Sequence, residues 1–179
     1  MKLLATFLFV HVVLYAHPHI FIDIYPKLNL HNGKATSISL EWKFDQMTSS
    51  VLIMDYDKNK NNKLDKKEIA LIKRKTKKLF KAQNYYVKII TKDKNIKIKK
   101  LDNFVATIEK SGRMVYSYDL ICSFDVKDSI VMFYDKDYYI AIKLKKSFIE
   151  PLNKNLDFDI KKVDNGTYFG YAMFNKGIK

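Results

Sequence analysis

The sequence predicts an α+β fold, mainly antiparallel β, as a sandwich-like or strongly bent sheet with an inserted EF-hand-like helix-loop-helix. Three observations carry that expectation. Apolar and polar residues alternate through most of the chain, the period of half-buried strands. The alternation gives way at about residues 48–83 to apolar spacings of three and four, the period of helices. Hydrophobic residues are 47% and aromatics 14% of 179 residues, which supplies a core and excludes general disorder.

Residues 1–16 read as an export address. Lys2 gives a short positive start, and Leu3–Tyr15 is apolar except for His11. That run is shorter than the roughly 20 residues that span a bilayer. Ala16 suits the residue before a signal-peptidase cut, so a mature periplasmic chain is expected to begin at His17, with no membrane span after cleavage. Residues 17–179 then read as one β-rich domain.

Two alternating runs follow. Ile20, Ile22, Ile24, Leu28 and Leu30 share one face, and Ile38, Leu40, Trp42 and Phe44 share another. His31-Asn32-Gly33 lies between them. A three-residue turn pairs residues whose numbers sum to 64 and sets the apolar sides opposite each other; a two-residue Asn32-Gly33 turn gives 65 and is rejected on parity. Further strands are expected near 85–91, 96–101, 104–109, 114–126, 129–135, 138–144, 156–163 and 168–174, with turns at Ser111-Gly112 and Asn165-Gly166. Cys122 falls on the apolar face of its strand and reads as a buried small hydrophobe.

The insert holds the sharpest motif. Asp57, Asn59, Asn61, Lys63, Asp65 and Glu68 occupy the first, third, fifth, seventh, ninth and twelfth places of an EF-hand calcium loop. Lys63 would supply its carbonyl and Glu68 both carboxylate oxygens. Leu64 stands at the eighth place, where an aliphatic anchors the loop. Asn62 replaces the usual glycine and is the best other residue for a left-handed backbone. Thr48 or Ser49 would cap the entering helix, and Ile69, Ile72, Thr76, Leu79, Phe80 and Gln83 would line the exiting one. Two asparagines for carboxylates and five nearby lysines predict weak calcium binding, about 10⁻⁴–10⁻³ M.

A second candidate lies at the N-terminus. His17 and His19 share a strand face about 6.6 Å apart. The 64-sum register brings His19 opposite Asp45. His17, His19 and Asp45 would then form a nitrogen and oxygen set for Ni2+, Co2+, Zn2+ or Cu2+, joined by the α-amine of His17 after cleavage.

Other classes are disfavoured. Lys+Arg 33 against Asp+Glu 19 leaves +14, but only Arg74 and Arg113 are arginines, and base reading favours arginine, so no nucleic-acid partner is expected. One cysteine excludes an intrachain disulfide framework. No nucleophile–base pair or glycine-rich phosphate loop appears, so no enzyme is expected.

Several segments together resemble a known family. Ala16-His17-Pro18-His19-Ile20-Phe21-Ile22-Asp23, then Trp42-Lys43-Phe44-Asp45, the calcium-like loop, and Tyr134-Asp135-Lys136-Asp137-Tyr138-Tyr139 resemble, in order and spacing, the bacterial exported proteins grouped as domain of unknown function one thousand and seven. The resemblance implies a periplasmic component of an uncharacterised ABC-type transport system, often encoded beside nickel/cobalt-type permeases. The chain is too short and strand-rich for a two-lobed solute-binding protein. The function expected is therefore a periplasmic metal-binding accessory of a nickel, cobalt or zinc transport system, with an inner-membrane metal permease or exporter as partner and one weak structural calcium site. The alternative is a calcium-stapled β-domain for protein–protein contact, with Tyr138 and Tyr139 as anchors.

Overall fold

A computed structural model describes residues 19–92, 94–164 and 169–179. The export segment 1–16, His17 and the Asn165-Gly166 turn lie outside the described residues. Strands β1 (Ile20–His31) and β2 (Lys34–Phe44) come first, followed by helices α1 (Gln46–Tyr56) and α2 (Lys66–Ala82). Then come β3 (Val87–Thr91), β4 (Lys94–Ile96), β5 (Lys100–Ile108), β6 (Met114–Asp125), β7 (Ser129–Asp135) and β8 (Ile140–Lys143). Helix α3 (Lys146–Ile149), β9 (Leu156–Asp164) and β10 (Phe169–Ile178) complete the described chain.

The strands form two five-stranded sheets, ordered β5-β6-β2-β1-β8 and β4-β3-β7-β10-β9. Pairing among the described strands is antiparallel except for β1 with β8, which is parallel. The alternation explains the layering. Ile22, Ile24 and Leu28 of β1, Trp42 and Phe44 of β2, and Tyr118, Leu120 and Cys122 of β6 are all buried. They join Val87 and Ile89 of β3, Val131 and Phe133 of β7, and Met173 of β10 in one apolar cluster. Helix α2 closes it with Ile72, Thr76 and Phe80, whose ring centre lies 4.8 Å from that of Trp42. Burying a ring like Phe80 is worth about 2–3 kcal/mol, so this packing fixes where the insert sits. Leu79, expected on the same face, is exposed.

The first hairpin corrects the expected turn. His31 pairs with Lys34, so the turn is the two-residue Asn32-Gly33, with φ 47° and 77°. Both angles are left-handed, as a tight hairpin with the strands' twist requires. Parity is restored by an irregularity between Asn29 and Leu30, which spends one extra residue on β2. Beyond it Leu28 faces Ile38, Ile24 faces Trp42 and Ile22 faces Phe44. The parity argument identified which faces meet, but the individual partners are shifted by two positions from the expected register, and a bulge, not a longer turn, brings the faces together.

Two further differences have causes in the tertiary structure. The strand expected at 96–101 is divided, because β4 belongs to one sheet and β5 to the other. Helix α3 and the 3-10 turn after it were not anticipated. They are tied to β1 by Asn153, whose Oδ1 accepts from Leu28 N–H at 2.9 Å and whose Nδ2 donates to the Pro26 carbonyl at 2.9 Å.

Candidate cation-binding loop

Asp45 starts the insert. It is the N-cap of α1: its carboxylate accepts from Thr48 N–H at 3.0 Å and Thr48 Oγ1–H at 2.6 Å. It also accepts from Phe21 N–H at 3.1 Å, which pins the helix to β1. This corrects the expected cap, since Thr48 and Ser49 lie inside the helix and are buried. The Asp45-x-x-Thr48 spacing is the sequence signal for this cap. Burial pushes the Asp45 carboxyl up, but its bonds to Thr48, Phe21 and Met47 outweigh that and hold it below the usual carboxylate range.

At the other end α1 stops at Tyr56, and the loop turns back on itself. Asp57, at the first place, is buried, and its Oδ1 and Oδ2 accept from the N–H groups of Asn61 at 3.2 Å and Asn62 at 2.8 Å. Asn59 Oδ1 accepts from Asn61 N–H at 3.1 Å, and Asn61 Oδ1 from Lys63 N–H at 2.8 Å. Asn62 takes φ 60°, the left-handed backbone that its place demands, and Lys60 takes φ 56°. Leu64 packs partly buried against the core.

Asp65 and Glu68 open α2 as a reciprocal capping box. Asp65 Oδ1 accepts from Lys67 and Glu68 N–H at 2.7 and 2.9 Å, and Glu68 Oε2 accepts from Asp65 N–H at 2.8 Å. Glu68 Oε1 reaches across and accepts from Lys58 N–H at 2.8 Å, joining the twelfth place to the second. Glu68 is buried as well.

Two buried carboxylates, Asp57 and Glu68, thus close the loop. Among the described residues no lysine or arginine ion-pairs with Asp57, Asp65 or Glu68, although five lysines lie within the loop. A buried carboxylate without a counter-charge is costly. Each carboxylate oxygen uses one lone pair on an N–H and keeps another, so the residues fit a hard cation. Asp65 serves the helix as its cap through Oδ1, so at the ninth place it would act through Oδ2 or through water. Accordingly, the described residues contain no group of three His, Cys, Asp or Glu poised on one ion; the fit depends on Asn59, Asn61 and the Lys63 carbonyl.

The N-terminal metal set is not assembled by the register. His17 lies outside the described residues. With Ile22 opposite Phe44, Asp45 comes beside Phe21, not His19, and its carboxylate is occupied by the α1 cap. His19 is exposed, and its ring lies 5.1 Å from that of Tyr139.

A cleft of about 500 Å³ beside the α1 cap was not anticipated; Asp23, Asp45, Gln46, Arg113, Lys143 and Tyr171 are among its lining residues. Arg113 braces it, donating from Nε to the Phe44 carbonyl at 2.6 Å and from Nη2 to Asp23 at 3.0 Å. The rarity of arginine in a lysine-rich chain was its only signal. The tyrosine-rich segment is structural in the same corner. Asp135 is buried and accepts from the N–H groups of Asp137, Tyr139 and Ile140, while the Tyr139 carbonyl accepts from His19 and Ile20 N–H.

The fold and site define a two-sheet β protein with a helix-loop-helix inserted after its first hairpin. Residues 2–164 match the family model described as "Protein of unknown function (DUF1007)", and the chain belongs to that family. No curated protein and no solved structure is matched by the chain. Among the described residues no helix is long and apolar enough to cross a membrane.

Proposed function

We propose that this chain is an exported, non-catalytic accessory domain of a transport system, in which the 57–68 loop binds one calcium ion and staples α1 to α2. One observation carries the reading: the buried Asp57 and Glu68 carboxylates close the loop, and no cationic side chain among the described residues pairs with them. When bound, calcium supplies the missing positive charge; Asp57, Asn59, Asn61, Glu68 and the Lys63 carbonyl would hold it, with Asp65 acting through Oδ2 or through water. The transport context and periplasmic location are supported by the leader-like start and by the family resemblance. Handling of nickel, cobalt or zinc rests on His17 and His19.

Intact native mass of the exported protein tests both parts. One calcium gained, and lost on Glu68→Gln, supports the staple. A further nickel or zinc, lost on His17→Ala with His19→Ala, supports transition-metal handling. Calcium alone leaves a calcium-stapled interaction domain, and no calcium at millimolar concentration overturns the staple.

A further inference from the structure

Helix α1 packs Leu52, Ile53 and Tyr56 partly buried against the core, yet leaves a second apolar set facing outward. Its most buried residues are Thr48 and Ser49, at 9% and 0% exposure, while Met47 and Met54 are each 72% exposed and Val51 is 49% exposed. Met47, Val51 and Met54 stand four and three residues apart, which sets them in one ridge on the outward face. Ser49 explains the inner face: its Oγ accepts from Met114 N–H at 2.9 Å and donates to the Phe44 carbonyl at 3.3 Å, so a small hydroxyl docks the helix on sheet backbone. Nothing in that arrangement requires methionine outside. Phe21, whose N–H donates to the Asp45 cap of this helix, is also 54% exposed. Clustered exposed apolar residues of this kind mark a surface that meets something.

The charge of the insert that carries the ridge points to the partner. Residues 46–83 carry 11 Lys and Arg against 4 Asp and Glu, a net +7, half of the chain's +14 in 38 residues. All eleven cations are exposed, and among the described residues none is in an ion pair. We propose that the insert is a membrane-surface anchor: the Met47–Val51–Met54 ridge enters the headgroup boundary of an anionic bilayer, and the lysines of the loop and α2 hold the lipid headgroups. An exposed apolar ridge on a lysine-rich insert matches the interfacial mode of binding. A second copy of the chain would set +14 against +14. Nucleic acid would use the lysines and leave the ridge unexplained. Calcium reinforces the anchor, because it adds two positive charges to a loop whose five lysines and three acids sum to +2. The anchor itself does not depend on the calcium reading.

Vesicle co-sedimentation tests it with the full chain, comparing variants that share one N-terminus so that the apolar leader contributes equally. The wild type should bind phosphatidylcholine vesicles doped with phosphatidylglycerol, and bind undoped vesicles far less. Met47→Ser, Val51→Ser and Met54→Ser together should weaken doped-vesicle binding at least about tenfold, the scale expected for removing three apolar side chains from an interface. Val105→Ser, Leu152→Ser and Ile178→Ser, at positions exposed elsewhere, should leave it unchanged. The near-ultraviolet circular dichroism of Trp42 checks that each variant is folded. Binding measured in chelator tests the ridge alone, and the increment on adding calcium tests the loop, so the two readings fail separately. Doped-vesicle binding that survives the ridge substitutions, or that is absent in the wild type, overturns the proposal. Capture of an acidic protein by the ridge with no affinity for lipid overturns it too.

Discussion

Replacing Asn59 and Asn61 by aspartate should tighten calcium binding, and the gain is the sharpest test of the loop. Both side-chain oxygens already accept a neighbouring N–H, from Asn61 at 3.1 Å and Lys63 at 2.8 Å, and an aspartate oxygen keeps those bonds. Both residues are exposed, so the added charges carry little desolvation cost before the ion arrives. Each new carboxylate should improve affinity about tenfold, since ligand charge count is the main lever on such loops. At 10 mM calcium a site of about 10⁻³–10⁻⁴ M stabilises the fold by about 1.4–2.7 kcal/mol, from RT ln(1 + [L]/Kd). Unfolding entropy near 2.1 cal/mol/K per residue makes that a rise of about 4–8 °C in Tm for a chain of this length. Asn59→Asp with Asn61→Asp should add about 2–3 kcal/mol more at the same calcium. Glu68→Gln should remove most of the wild-type increment, because one amide cannot give the ion two oxygens. Scanning calorimetry with calcium and with chelator reads all three. Equal calcium increments in the wild type, the double aspartate and Glu68→Gln would refute the assignment of Asp57–Glu68 as the binding loop.

Three further outcomes follow from the same geometry. Asp135→Ala should destabilise the fold by about 2 kcal/mol, because it strips acceptors from three backbone N–H groups, one of them buried; denaturant unfolding followed by Trp42 fluorescence measures it, and a change under about 0.5 kcal/mol contradicts the role. Asp45→Ala should cost about 1 kcal/mol, as loss of an N-cap does. Its carboxyl is held below the unfolded value, so the stability is present above about pH 4 and disappears as pH falls through the folded value; a wild type and variant that lose stability in parallel across that window would count against it. Burial pushes the Cys122 thiol up to about 11, so it should react with thiol reagents at neutral pH only as fast as the protein unfolds, and rapid labelling of the native chain would show otherwise.

What the sequence made legible follows from which interactions are local. Strand alternation reports burial directly, so Ile22, Leu40, Trp42, Tyr118 and Cys122 were all assignable to the core. The loop spacing reports backbone geometry over twelve residues, so the left-handed Asn62 was readable as well. Division into two sheets was not readable, because the step from β4 to β5 depends on which distant strand each one meets. The hairpin turn was missed because parity constrains only the sum of turn and bulge. Arg113 reaching Asp23 across 90 positions leaves no local trace. The outward ridge of α1 was hidden for a related reason: Ser49 is inside because it meets Met114 N–H, a contact 65 residues away.

The segments that carry the family resemblance meet at one corner of the molecule, and this changes what they are for. Asp135 holds the turn that presents the Tyr139 carbonyl, and that carbonyl takes the first two N–H groups of the described chain, from His19 and Ile20. At the next residue, Phe21 donates to Asp45, and Asp45 caps the helix that leads to the calcium-like loop. Trp42, three residues before that cap, is buried against Phe80 of the helix that leaves the loop. Side chains that look like scattered ligands on the page are therefore successive links in one scaffold, and its product is the position of the insert. A metal set at the N-terminus would require Asp45 to leave the cap, forfeiting the bonds to Phe21 and Thr48 that orient α1. The same aspartate cannot serve both uses at once, so the geometry favours a corner built to aim the insert outward over one built to hold a transition metal through Asp45.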